Sequence, residues 1–210
     1  MLNHQINRRI FSSSVALAAI AAGTQQAHAA AAVGQAAPDF TATDAMGKTH
    51  KLSDFKGKHV VLEWTNPGCP FVVKHYGGNM QALQKEFTAK GVVWLAITST
   101  EKGSYEYFPP AKMVSWVNDK QAKPTALLMD EPGKIGQLYN AKTTPHMYII
   151  NPQGVLVYSG AIDSVPSARI DDIKTATNYV RQGLNEALSG KAISVASTRS
   201  YGCSVKYKDA

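Results

Sequence analysis

Short apolar segments alternate with helical patterns along most of this chain. The candidate strands are rich in β-branched residues, as strands buried in a central sheet are. They cover residues 60–65, 92–98, 126–129, 147–150 and 155–158. Apolar positions spaced by three and four are typical of one helix face, and they predict helices at 72–87, 111–118, 134–139 and 173–188. This alternation predicts an α/β domain with a mixed central sheet flanked by helices.

Turn-forming residues refine this picture at four places. Residues 40–51 alternate weakly around Asp44-Ala45-Met46-Gly47, which predicts an N-terminal β-hairpin. The segment 151–154 predicts a tight turn between two antiparallel strands. Gly77-Gly78 interrupts the first helical pattern and is expected to kink it, and Gly190 is expected to end the C-terminal helix.

The first 29 residues have the composition of an export signal. Arg8-Arg9 precedes the apolar run 15–22, and Ala27-His28-Ala29 supplies a small-residue cleavage site. The arginine pair resembles a twin-arginine signal. Since the apolar run is shorter than the ~20 residues of a spanning helix, no stable membrane insertion is expected after cleavage. The sequence predicts an export signal at 1–29, a domain at 33–190 and a C-terminal tail at 191–210. The mature protein is expected to act in the periplasm or to be secreted.

Charge and cysteine content exclude several classes of function. The net charge is +7, but the basic residues are scattered and lack interleaved aromatic residues, so no nucleic-acid partner is expected. The two cysteines form no Cys-x-x-Cys pair, and no paired histidines follow the spacing of a metal finger. The sequence therefore predicts neither a bound metal nor a cofactor.

Cys69 stands between an apolar strand and a helix, in the run Asn66-Pro67-Gly68-Cys69-Pro70. Pro70 suits the first helical position because its missing N–H would have no partner there. Cys69 then faces unpaired backbone N–H groups and the positive end of the helix dipole, which favour the reactive thiolate. We interpret Cys69 as a redox nucleophile; the alternative is one half of a structural disulfide.

Cys203 is the other sulfur, and it lies in the polar tail. As a resolving cysteine it would attack the mixed disulfide or sulfenic acid formed at Cys69. The tail could swing in and out, or a permanent Cys69–Cys203 disulfide could hold it down. In an exported protein with two cysteines, pairing of the two is favoured over two free thiols.

A resemblance to a known fold rests on four short segments. They are Ala37-Pro38-Asp39-Phe40, Glu63-Trp64 at a strand end, Cys69-Pro70 at a helix start, and Thr144-Pro145. Together they resemble the thioredoxin fold, and within it the redoxin or peroxiredoxin-like branch. A subgroup of that branch carries one cysteine at the helix start and ends in Gly-Cys-Ser, as Gly202-Cys203-Ser204 does here.

The resemblance implies a substrate-binding region beside Cys69. Thr144-Pro145 would form a cis-proline turn whose backbone contacts a bound polypeptide, and Trp64 would line the rim. The implied partners are a thioredoxin-like reductant or a protein disulfide substrate, with a peroxide as another oxidant. Two departures leave the oxidant open: Cys69-Pro70-Phe71-Val72 lacks a second cysteine, and Asn66 stands where a peroxiredoxin carries threonine, since Thr65 lies four residues before Cys69.

Four polar or ionisable residues close to Cys69 in the sequence are predicted to have structural roles. Helical geometry rotates Lys74 and His75 well away from the direction of Cys69, which predicts solvent-facing side chains. Tyr76 returns to the Cys69 face and is expected to pack in the core. Glu63 is expected to be an exposed carboxylate at a strand edge; the alternative is a buried proton relay to Cys69.

Three functions follow, in this order. The first is an exported thiol oxidoreductase in which Cys69 attacks and Cys203 resolves. The second is a non-catalytic binding module with a permanent disulfide, which holds a peptide at Thr144-Pro145. The third is a copper-handling protein that uses both cysteines with His75 or His146.

Overall fold

The computed structural model of the chain describes residues 1–2 and 30–208. The predicted export signal lies almost wholly outside these residues. In the described part the strands are β1 (Thr41–Asp44), β2 (Thr49–Lys51), β3 (Val60–Trp64), β4 (Val93–Thr98), β5 (Ala126–Met129), β6 (Thr143–Thr144), β7 (His146–Ile150), β8 (Leu156–Gly160) and β9 (Cys203–Ser204). The α-helices are α1 (Pro70–His75), α2 (Asn79–Ala89), α3 (Pro110–Asp119), α4 (Lys134–Leu138) and α5 (Tyr179–Leu188), with 3-10 helices at Leu52–Phe55 and Ile170–Lys174.

A seven-stranded mixed sheet forms the centre, in the order β2-β1-β5-β4-β3-β7-β8. Strand β3 pairs in parallel with β4 and antiparallel with β7. The N-terminal hairpin β1–β2 and the hairpin β7–β8 are both antiparallel, as the turn residues predict. This confirms the α/β class and the mixed sheet. Among the described residues, β6 and β9 form a separate two-stranded sheet.

The sheet has an apolar core on each face because β3 alternates its side chains between them. Val60, Leu62 and Trp64 pack in one core together with residues of α4 and β7. Val61 packs in the other, with Cys69 and the buried faces of α1, α2 and α5. Cys69 and Trp64 therefore belong to opposite faces of the sheet.

Two helices are shorter than the sequence pattern predicts. The first pattern divides into α1 and α2 at Gly77-Gly78, where Gly78 has φ of +127°, a backbone conformation that breaks a helix. The last begins at Tyr179 because the Asn178 side chain caps it, accepting from the Arg181 amide at 2.8 Å. Apolar spacing carries on across both breaks, so the pattern alone overestimates the helices.

Candidate active site

Cys69 is the N-cap residue of α1, with extended backbone (φ −80°, ψ 122°) and Pro70 at the first helical position. The helix starts there because Pro70 can begin a helix but cannot continue one. The Cys69 side chain is fully buried. Its Sγ lies 3.0 Å from the Thr144 carbonyl oxygen, to which the thiol donates. The expected helix-start position is thus present, but the sulfur is covered.

The loop before Cys69 is held by Asn66. Its Oδ1 accepts from the Gly68 amide at 2.9 Å, and its Nδ2 donates to Glu106 Oε2 at 2.6 Å. The Cys69 amide donates to the Asn66 carbonyl at 3.1 Å. Asn66 is therefore engaged in shaping the turn that presents Cys69.

The segment opposite Cys69 contains a cis peptide bond between Thr144 and Pro145, as the resemblance implies. Thr144 is buried, and its carbonyl receives the Cys69 thiol. The Thr144 hydroxyl has no hydrogen-bond partner among the described residues. This strand end is thus the wall of the site that faces the helix start.

Cys203 lies directly beside Thr144, because β9 pairs antiparallel with β6 in the register Thr144↔Cys203. Both thiols are free and no disulfide joins them. The close approach depends on Gly202, which has φ of +137° and where an added Cβ would lie 2.1 Å from the Thr144 oxygen. The tail therefore carries Cys203 to the same backbone position that Cys69 contacts.

The two thiols influence one another. Burial and then the hydrogen bond with Cys69 raise the pKa of Cys203 to about 12. At neutral pH Cys203 is consequently a protonated thiol.

Trp64 does not line this site, and that prediction is wrong. Its ring is fully buried on the opposite face of the sheet, packed against Tyr139 and Tyr148. Its Nε1 donates to Ser99 Oγ at 3.0 Å. The alternation of β3 decides this: the last residue of the strand points away from the face that carries α1.

Lys74 and His75 are not solvent-facing, so that prediction is also wrong. Both side chains are fully buried, in a group that we term the latch cluster: Lys74, His75, Asp163 and Tyr201. Lys74 Nζ lies 3.3 Å from Asp163 Oδ2 and donates to the Val165 carbonyl at 3.0 Å. The loop after β8 and the tail cover α1 on the side that would otherwise meet water.

Hydrogen-bond roles in the latch cluster follow from the neighbours of His75. Asn79 Nδ2 lies 2.9 Å from His75 Nδ1 and donates to it, which places the proton of the neutral ring on Nε2. His75 Nε2 then donates to the Tyr201 hydroxyl at 3.1 Å, and that hydroxyl donates to Asp163 Oδ1. Burial, opposed by Asp163, lowers the pKa of His75 to about 4, which keeps the ring neutral.

Glu63 is fully buried in a central strand, so the expectation of an exposed edge carboxylate is wrong. Tyr76 donates to Oε1 at 2.6 Å, while Trp94 and Gln84 donate to Oε2 at 2.7 and 3.1 Å. Burial raises the pKa of Glu63 despite these hydrogen bonds. Tyr76 packs in the core, as predicted. Glu63 follows Leu62 along β3 and so faces the side of the sheet that carries Cys69.

Sequence reasoning missed the residues that hold the tail in place. Asp163, Tyr201, Glu106 and Lys206 are far apart in the chain and meet only in the fold. The one local signal was Tyr201 itself, an aromatic residue two positions before Cys203 in an otherwise polar stretch.

The copper hypothesis gains no support from the described residues, which contain no group of three or more His, Cys, Asp or Glu side chains able to hold a metal ion. His75 lies in the latch cluster, and His146 Nδ1 is 3.1 Å from the Tyr148 hydroxyl. In the same part of the chain, no helix is long and apolar enough to cross a bilayer.

A buried helix-start cysteine in contact with the Thr144-Pro145 turn, beside a mixed central sheet flanked by helices, is the arrangement of a thioredoxin-fold protein. More narrowly, residues 33–159 match the AhpC/TSA family, and the chain belongs to that family. The curated relatives that the chain resembles include proteins named thiol-disulfide oxidoreductase and peroxiredoxin.

Two curated relatives and one solved structure illustrate the similarity. The thiol-disulfide oxidoreductase ResA of Geobacillus kaustophilus is 32% identical over 128 residues, which span 55% of this chain and 73% of the relative. The chloroplastic peroxiredoxin Q of Populus jackii is 30% identical over 152 residues, 66% of this chain and 64% of the relative. A hypothetical protein from Sinorhizobium meliloti shares the fold with a TM-score of 0.76 at 22% identity, covering 87% of this chain and 98% of that one.

Proposed function

We propose that this chain is a thiol–disulfide oxidoreductase whose Cys69 and Cys203 cycle between dithiol and disulfide. One observation carries the proposal: both cysteines meet at Thr144, one through a 3.0 Å contact of its sulfur and the other through strand register. Two thiols brought to one backbone position from distant parts of the chain are placed for intramolecular exchange.

The chemistry balances as two successive exchanges. The Cys69 thiolate attacks one sulfur of a substrate disulfide, forming a mixed disulfide and releasing the other substrate sulfur as a thiol. Cys203 then loses its proton and attacks the Cys69 sulfur, which releases the second substrate thiol. The substrate gains two electrons and two protons, and the protein holds a Cys69–Cys203 disulfide that a thioredoxin-like reductant must reopen.

A disulfide substrate is favoured over a peroxide by the residue three positions before Cys69. A peroxiredoxin-like site would offer a hydroxyl there to hold the peroxide, whereas Asn66 stands here with both its side-chain atoms engaged. Glu63 is proposed to serve as a proton store for this exchange, because it is a buried carboxyl group of raised pKa on the Cys69 side of the sheet.

We also propose that the chain acts after export. The residues at 1–29 have the composition of a signal segment. A disulfide-cycling pair of this kind suits the oxidising compartment to which such a segment leads.

The test is the reduction potential of the Cys69–Cys203 pair, measured by equilibration in glutathione or dithiothreitol buffers, alkylation and intact mass. A potential between about −270 and −120 mV is expected for a cycling pair. A potential below about −300 mV would identify a structural disulfide and favour the binding-module function. If no disulfide forms at all, the proposal is wrong.

Single-cysteine variants complete the test. Cys203→Ser should trap a mixed disulfide at Cys69 when a disulfide-bonded polypeptide is added, while Cys69→Ser should trap none. Hydrogen peroxide consumed faster than the polypeptide disulfide is reduced would make the peroxide the preferred oxidant instead.

A further inference from the structure

We infer that the tail strand β9 occupies in cis the edge at which a polypeptide substrate binds, so that substrate and tail exchange places during each cycle. This rests on the proposed function, and it names a partner: an extended polypeptide that pairs antiparallel with β6. When the tail returns to β6, Cys203 attacks the mixed disulfide at Cys69 and the substrate is released in the same step.

The occupied edge is the first observation. Within the described residues, β6 pairs with β9 and with no other strand. An extended segment recognised by β-strand addition needs such an edge, with one side chain presented at each alternate position. Here the tail already uses it, and the residue placed opposite Thr144 is a cysteine. Cys203 thus occupies the position that the cysteine of a bound substrate would take.

The coverage of Cys69 is the second observation. Cys69 is 0% exposed, and Cys203 packs against the core that contains it. No protein disulfide can reach a sulfur buried in this way. A polypeptide must therefore displace the tail before Cys69 can attack it.

Two polar anchors flank the Cys203 strand and hold it closed. Before Cys203, the Tyr201 ring packs edge-on against Phe71 at 5.8 Å between centroids, and its hydroxyl enters the latch cluster. After Cys203, Lys206 Nζ pairs with Glu106 Oε1 at 3.1 Å, and the other oxygen of Glu106 holds Asn66 beside Cys69. Each anchor joins the tail to an element that positions Cys69.

The tail can detach and return, because the anchors consist of polar contacts on either side of a strand of only two residues. Antiparallel pairing of two residues contributes little by itself. In the exchange, the mixed disulfide at Cys69 holds the substrate on β6 until the tail returns. The Cys203 sulfur then bonds to the Cys69 sulfur, the bond from Cys69 to substrate breaks, and the substrate leaves as a thiol.

The first experiment measures access to Cys69 in the reduced full chain carrying Cys203→Ser, which leaves one thiol and needs no catalysis. The rate of iodoacetamide alkylation is compared with that of the same chain in denaturant, and hydrogen exchange of the tail is followed by mass spectrometry. Adding Tyr201→Phe removes the hydrogen bond that the hydroxyl donates to Asp163 and those that it accepts from His75 and Lys74, and should raise both rates by about tenfold or more. Tyr105→Phe alters a tyrosine that is 93% exposed and should change neither.

Alkylation of Cys69 at the denatured rate while the tail amides remain protected would overturn the inference. So would a Tyr201→Phe variant whose tail exchanges faster while Cys69 alkylation is unchanged. Because no disulfide is formed, these outcomes are independent of the reduction potential that tests the proposed function.

The second experiment tests strand exchange directly, again with Cys203→Ser. Cys69 is converted to a methyl disulfide with methyl methanethiosulfonate, or to a mixed disulfide by exchange with the disulfide-linked dimer of a single-cysteine nonapeptide, which releases one copy of the peptide as a thiol. We expect faster hydrogen exchange in residues 198–207 for the peptide adduct alone. Equal tail protection in both adducts would show that a polypeptide binds without displacing β9. Failure of the peptide to react where the methyl reagent reacts would show that a polypeptide does not displace the tail, and would also overturn the inference.

Discussion

Glu63 carries a carboxyl group that is buried within the sheet, and its protonation state affects the free energy of unfolding. Burial penalises the charged form and raises the pKa of Glu63 from the ordinary 4.5, against hydrogen bonds from Tyr76, Trp94 and Gln84 that favour the carboxylate. Its folded pKa therefore lies above its unfolded pKa, so the folded state binds an extra proton between the two values. The stability contributed by the protonated form is lost as pH rises through that interval.

Glu63→Gln replaces this group by a neutral side chain of the same shape. We expect the free energy of unfolding of the native chain, relative to that of the variant, to decrease as pH is raised above 4.5. Urea denaturation at pH 4.5, 6 and 8 measures this difference. A difference that stays constant with pH would contradict the buried, raised-pKa carboxyl group.

The stability that His75 contributes changes with pH in the opposite direction to that of Glu63. Burial lowers its pKa from 6.5 to about 4, so the unfolded state binds a proton that the folded state refuses between these values. The stability is present at neutral pH and is lost as pH falls from 6.5 towards 4, by up to about 3 kcal/mol.

His75→Gln tests this directly, because the variant lacks the titrating ring. The stability gap between native chain and variant should narrow as pH falls from 7 to 4.5, measured by urea denaturation. His146, whose pKa burial also lowers to about 4, is present in both chains and cancels in the comparison. A gap that widens in acid would contradict a neutral, buried His75.

At the scale of the element, the docking of the tail strand β9 against β6 requires a glycine at position 202. Gly202 has φ of +137°, and a Cβ there would lie 2.1 Å from the Thr144 oxygen. Gly190 also has positive φ (+73°), but its surroundings are open. Substituting each glycine by alanine therefore distinguishes two effects. At Gly190 the added Cβ strains only the backbone, whereas at Gly202 it also prevents the close approach of β9 to Thr144.

Gly190→Ala should cost roughly 1–2 kcal/mol from its left-handed backbone alone. Gly202→Ala should in addition undock β9, which we expect to slow Cys69–Cys203 disulfide formation in glutathione buffer by at least about tenfold, while Gly190→Ala leaves that rate unchanged. Equal rates in both variants would mean that close approach at Gly202 is not needed for pairing. Alkylation and intact mass measure the rate.

For the whole molecule, oxidation should cross-link the start of α1 to the C-terminal tail. Cys69 and Cys203 lie roughly 130 residues apart, and closing a loop of that size restricts the unfolded chain by about 4–5 kcal/mol. We expect the oxidised chain to unfold at correspondingly higher urea concentration than the reduced chain. Cys203→Ser should show no such dependence on reductant, and a native chain equally stable in both states would contradict the pairing.

The division between local and tertiary information is visible in individual residues. The alternation of strands and helices, the hairpin at Asp44–Gly47 and the helix start at Cys69-Pro70 were all predictable, because backbone preferences and local burial decide them. The prediction for Lys74 and His75 is wrong because their burial depends on Asp163 and Tyr201, which lie about 90 and 126 residues away along the chain.

What the sequence by itself determined is the α/β architecture and the placement of Cys69 at a helix start, both of which follow from short-range spacing and the stereochemistry of proline and glycine. The cis-proline turn at Thr144-Pro145 was implied by the resemblance to the thioredoxin fold. The tertiary structure alone decided that Trp64 turns away from the site, that Glu63 is buried, and that Cys203 reaches Thr144. The physical reason is that these depend on which strand or segment packs on which face, and strand pairing between distant segments leaves no periodic signal in the residues that take part.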